Sequence, residues 1–122
     1  PISLGELVDK ISILTIKKKN ISDSIKVQHV NKELEFLQKT LKKYISEHEI
    51  NEFLLKLVNI NSKLWDIEDD IRECERKKLF DQTFIDLARS VYFTNDERAK
   101  VKNDINKTFG SELVEVKSYE EY

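Results

Sequence analysis

The strongest constraint in the chain is a narrow apolar seam. From Ile50, apolar residues recur at Phe53, Leu57, Ile60, Leu64, Ile67, Ile71 and Cys74, alternately three and four positions apart. That alternation keeps one stripe on a single helix face and does not fit the two-residue period of a strand. Ser46 and Glu49 open the segment as an S-x-x-E capping box, with Ile45 and Ile50 as its hydrophobic staple. A helix is expected over 47–78, about 48 Å long at the standard rise. A stripe this narrow is buried by one principal partner.

Immediately upstream, Val27, Val30, Leu34, Leu37, Leu41 and Tyr44 repeat the same alternation. Only about two residues separate the two segments, which predicts an antiparallel helical hairpin over 23–78. The upstream helix, about 33 Å by the same rise, is the shorter of the two. The longer helix must overshoot it, and its turns from Trp65 onward need another partner.

Flanking segments are helical too. Ser3 and Glu6 form a capping box with Ile2 and Leu7 as staple, and Leu4, Leu7, Val8, Ile11 and Leu14 follow at helical spacing. Lys17, Lys18 and Lys19 suit the negative end of that helix, over 1–20, and Asn20 suits a left-handed exit. Farther on, Asp81 can cap a helix with Phe80 and Ile85 as staple and Phe84, Leu87, Ala88, Val91 and Tyr92 as its apolar face. Thr94 and Glu97 form one more capping box, which predicts a kink or a new start there. The segment with Ala99, Val101, Ile105 and Phe109 then stops at Gly110, giving a helical pair over 81–110. Residues 111–122 read as a short extended arm with a frayed end at Glu120 to Tyr122. The expected fold class is all-α, a single helical domain over 1–122.

Composition supports this and narrows function. Charged residues make up 36% of the chain, with two Gly and one Pro, a balance that suits long solvent-exposed helices. A formal net charge of -2 creates no field favouring nucleic acid or an anionic membrane, so neither is an expected partner. No window approaches the ~18 apolar residues of a spanning helix, and no signal-peptide pattern opens the chain. The single Cys74 cannot form an intramolecular disulfide, which suits a reducing, cytoplasmic setting. On the seam, without a nearby His, it reads as an inert packed thiol.

A second stripe runs beside the seam: Leu54, Val58, Asn61, Trp65, Glu68 and Arg72. Its polar half places Asn61, Trp65, Glu68 and Arg72 on one face. The expected cross-helix partners are Arg89, Tyr92, Asn95, Asp96 and Arg98, with Lys102 as a further cation. Two readings follow. The residues form a structural salt-bridge network, or they line a site for a phosphorylated or carboxylated ligand. In the second, Arg72, Arg89, Arg98 and Lys102 clamp the anion, and Glu68 or Asp96 serves as base or metal ligand.

The acidic run is compatible with Mg²⁺ by spacing, through Asp66 with Asp69 or Asp70, and Asp70 with Glu73. All-α nucleotide pyrophosphohydrolases pair E-x-x-E with a second E-x-x-D, and the second motif is missing here, with Asp86 and Asp96 ten apart. A solvated acidic face is the simpler account, and no cofactor is expected. A chorismate-mutase-like site lacks the arginine such enzymes carry on their first helix. His29 and His48 are isolated.

Three strings, PISLGELVDKISIL, LWDIEDDIRECE and ARSVYFTNDERAKVKNDIN…GSELVEVKSY, run over nearly the whole chain. In them the sequence resembles a bacterial family of short helical proteins of unknown function. The resemblance implies a cytoplasmic bacterial or phage-like origin and a setting near surface-polysaccharide and glycosyltransferase functions, with no activity attached. Within the strings fall Trp65, Asp66, Glu68, Asp69, Arg72, Arg89, Tyr92, Asn95, Asp96, Arg98, Lys102 and Asn106. The expected function is a non-catalytic interaction or accessory protein, homodimeric through its narrow seams. The alternative is a small-molecule binder or enzyme.

Overall fold

In the computed structural model, residues 2–110 and 113–114 are described. Four helices follow one another: α1 (Leu4–Asn20), α2 (Ser24–Lys42), α3 (Glu47–Lys77) and α4 (Gln82–Phe109). The protein is all-α, as expected. A two-residue strand, β1 (Ile2–Ser3), pairs antiparallel with β2 (Leu113–Val114), Ile2 opposite Val114. This gives the extended arm its described position; residues 111–112 and 115–122 of that expectation lie outside the described residues.

α1 is the hub. It packs against α2, α3 and α4, and Leu7, Val8 and Ile11 are at most 1% exposed. Its apolar residues occupy more than one face, so it can be buried from several sides at once. The α2 seam, Val30, Leu34, Leu37 and Leu41, is buried in the same core.

The hairpin expected over 23–78 is therefore corrected. α2 packs on α1, and α3 packs on α4 and α1; α2 and α3 make no comparable approach. Both seams want a single main partner, but spacing does not say which. α2 turns back onto the more apolar α1 that precedes it, which leaves α3 to pair with the helix that follows. Phe53 meets Phe109 edge to face at 5.7 Å, and Lys63 reaches Glu97 at 3.9 Å, so α3 and α4 run antiparallel.

The helix ends explain the other differences. Ser3 Oγ accepts the Glu6 amide as foreseen, but the Glu6 carboxylate turns to Lys102 at 2.6 Å instead of closing the box. At Ser46 the hydroxyl accepts the Glu49 amide and donates to the Glu49 carboxylate, so the two side chains pair without the carboxylate reaching the Ser46 backbone amide. Asp23 caps α2 and Asp81 caps α4, each accepting two backbone amides. Asn20 takes no left-handed exit; its amide donates to the Ile16 carbonyl and the chain leaves through an extended Ile21. The left-handed residue is Lys78, φ 54°, at the end of α3. No break occurs at Thr94, so residues 82–109 form one helix rather than a pair. Thr94 is buried, Glu97 is drawn across to Lys63, and no Gly or Pro interrupts the segment.

Asn61 meets α1, and beyond Trp65 α3 and α4 continue as a bare two-helix hairpin. No residue from 65 to 93 is buried. Ile67, Ile71 and Cys74 on α3, and Phe84, Leu87 and Val91 on α4, are only half-buried. α3 thus runs past α1, and not past α2 as the expected hairpin required, with α4 alone beside it.

Candidate functional site

The polar centre of the molecule starts on α1. Gly5, Asp9, Ser12 and Ile16 are spaced four, three and four, a stripe beside the apolar one, and all four are buried. Gly5 lets α4 come close. A Cβ there would lie 2.4 Å from the Lys102 carbonyl oxygen, and the Gly5 amide donates to Asn106 Oδ1 at 2.8 Å. One turn on, the Asp9 carboxylate is fully buried.

Two helices, α3 and α4, satisfy that carboxylate. Asn61 of α3 donates through Nδ2 to Asp9 Oδ1 at 2.9 Å and to Ser12 Oγ at 2.8 Å. Arg98 of α4 makes a bidentate pair, Nε to Oδ1 at 2.9 Å and an NH2 donor to Oδ2 at 2.5 Å. Lys102 lies 4.0 Å from Oδ2 and 2.6 Å from Glu6. Burial alone would push the Asp9 carboxyl up. The hydrogen bonds from Arg98 and Asn61, with the charges of Arg98 and Lys102, outweigh it and hold the group below the ordinary carboxylate value. The hydrogen bond to Asp9 raises the Arg98 guanidinium against its own desolvation. Buried ions are tolerated when every partner is matched in this way. The group is a closed clasp joining α1, α3 and α4.

The structure thus divides the ten candidate residues. Asn61, Arg98 and Lys102 join the clasp. Arg72 does not cross to α4; it pairs with Glu68 at 3.9 Å and Asp69 at 3.3 Å on its own helix, with all three side chains exposed. Arg89 lies over the Phe93 ring, and Tyr92 stacks edge to face on Phe93. Asn95 and Asp96 face solvent. Of the expected cross-helix set, Asn61, Trp65, Glu68 and Arg98 line one hollow beside α1, whereas Arg72, Arg89, Tyr92, Asn95 and Asp96 do not join them, because the overhang has no third helix to draw those side chains together. Among the described residues, no three His, Cys, Asp or Glu side chains gather where they could hold a metal ion. Asp66, Asp69 and Asp70 stay on an exposed α3 surface.

Asp9, Ser12, Gly5 and Glu6 were absent from the expected site. The signal was present: an acid between Val8 and Ile11, continuing the 4-3-4 stripe through Gly5, Ser12 and Ile16. Trp65 stands outside the clasp, half-buried, and faces α1. Two hollows flank it, of about 320 Å³ and 200 Å³, and Ile16 lines both.

A family model described only as a family of unknown function matches residues 1–122, the whole chain. The chain belongs to the family DUF6165. No curated protein and no solved structure matches it. For this DUF6165 chain the geometry is therefore the source of functional inference. Among the described residues, no helix is long and apolar enough to cross a membrane.

Proposed function

We propose that this DUF6165 chain is a non-catalytic interaction module that forms a homodimer through the bare end of the α3–α4 hairpin. One observation carries the reading: Leu79, Phe80, Ile85, Tyr92 and Phe93 are between 48% and 67% exposed, in a stretch where nothing is buried. Large exposed apolar side chains concentrated in one stretch favour an interaction site.

The charges of α3 favour a second copy as the occupant. Asp69 and Asp70 precede Arg76, Lys77 and Lys78 along the same overhang. Turned antiparallel about a two-fold axis, the acidic turn of one copy faces the basic end of the other, as an isologous interface requires. Two hairpins then complete one four-helix bundle and cover the half-open seams. The clasp supports a non-catalytic role, because its carboxylate, amide and guanidinium are committed to one another. The sequence resemblance implies a setting in cell-surface polysaccharide assembly, where such a module would act as a cytoplasmic accessory.

Sedimentation equilibrium tests the dimer. We expect the native chain to sediment as a dimer and the Phe80→Glu, Tyr92→Glu double variant as a folded monomer with unchanged helical circular dichroism. A native chain that stays monomeric at high concentration overturns the proposal.

A further inference from the structure

We propose that the groove along Trp65, between the last turns of α1 and the middle of α3, binds a nucleoside di- or triphosphate. The site is separate from the hairpin end and does not depend on dimerisation. Trp65 is the only tryptophan, and its half-buried ring walls both hollows. The larger, about 320 Å³, falls in the size range of small-ligand pockets.

The lining combines three chemistries. Ile16 and Val58 supply apolar surface beside the aromatic wall, Ser62 and Asn20 supply hydrogen-bonding groups, and Lys19 and Asp66 bring charge. Lys17 lines the second hollow, on α1 two residues before Lys19. Several cations of α3 and α4 are engaged: Arg72, Arg76, Lys77, Arg98 and Lys102 have carboxylate partners. Lys17, Lys19 and Asp66 have no ion-pair partner among the described residues. Compensation of the α1 dipole accounts for lysines at this helix end. It does not account for a tryptophan-walled hollow beside them.

A nucleobase is the ligand piece that uses the ring, because every base offers a π-face to an aromatic side chain. Lysine ammonium groups on either side of the Trp65 ridge suit the point charges of a phosphate chain. Asp66 can only accept when ionised, so it favours the amino and hydroxyl donors of a base and ribose over phosphate.

The lone tryptophan makes the test direct. ADP and UDP are titrated into the full chain, with Trp65 fluorescence and thermal unfolding as readouts. We expect a saturable change in emission, a raised unfolding temperature, and affinity roughly tenfold weaker for Lys19→Ala. Adenosine and inorganic pyrophosphate, each carrying half of the ligand chemistry, should bind at least as weakly as that variant binds ADP. No saturable response to either nucleotide overturns the proposal. Adenosine binding as well as ADP overturns the phosphate assignment, and pyrophosphate binding as well as ADP overturns the base. The same titration on the Phe80→Glu, Tyr92→Glu variant should be unchanged, which separates this site from the dimer.

Discussion

The two ends of the α3–α4 hairpin are built from the same helices and differ in what covers them. Where α1 lies against the pair, Leu57 and Ile105 are completely buried and an aspartate can be held inside. Beyond α1, the same seam continues through Ile67, Ile71 and Cys74, and nothing is buried. Identical periodicity thus produces a core at one end and an open stripe at the other. The stripe is written in the chain; the cover is a tertiary event. The covered end holds the core, and the bare end is the surface proposed above for dimerisation.

The sharpest way to break this contrast is Asp9→Ala. It leaves Arg98 and Lys102 facing an emptied pocket, and removal of one partner from a buried ion pair typically costs about 3–5 kcal/mol. Chemical denaturation should show that loss. The clasp also predicts the acid limb of stability. Asp9 has a lowered carboxyl pKa when folded, so its stabilisation is present above the unfolded value, close to 3.8, and is lost as pH falls through the lower folded value. Asp9→Ala should flatten the stability profile in that window, and an unchanged acid limb would show that the clasp does not control it.

Next in size is a matched pair of truncations on one seam. Leu57→Ala under α1 should cost about 2–5 kcal/mol, whereas Ile71→Ala in the overhang should cost the monomer clearly less, because its site is already half-open to water. Equal losses in a monomeric background would erase the distinction between the two ends. The smallest effect expected is Gly5→Ala. Its Cβ would meet the Lys102 backbone, so α1 and α4 must part, at about 1–3 kcal/mol. A stabilising Gly5→Ala would mean that the close approach is dispensable.

Much of the fold was readable from the chain. The capping residues Ser3, Ser46 and Asp81 and the α2 and α3 seams all follow from local chemistry. The pairing did not, because α2 and α3 carry equivalent seams joined by short turns, and either could fold onto its other neighbour. The break expected at Thr94 failed for a related reason: a capping box is only a capability of the side chains, and with Thr94 buried and no Gly or Pro nearby the helix runs on. Of the ten site candidates, the three that meet α1 were drawn into a common structure. Trp65 and Glu68 line a hollow beside α1, and the other five, Arg72, Arg89, Tyr92, Asn95 and Asp96, join neither the clasp nor that hollow. Asp9 was overlooked because an isolated acid on an otherwise apolar helix reads as solvent-facing until its partners, far along the chain, are seen.

The β1–β2 pairing has a consequence for how such a module could be used. It brings Ile2 beside Val114, next to the start of α1 and the last turns of α4. The turn at Lys78 lies at the other end of α4, about 40 Å away for a helix of 28 residues. Ile2 and Val114 therefore share one point of the molecule, far from the hairpin end. A pair of chains meeting at their hairpins would act as a strut, with its two β1–β2 pairs held apart at opposite extremities.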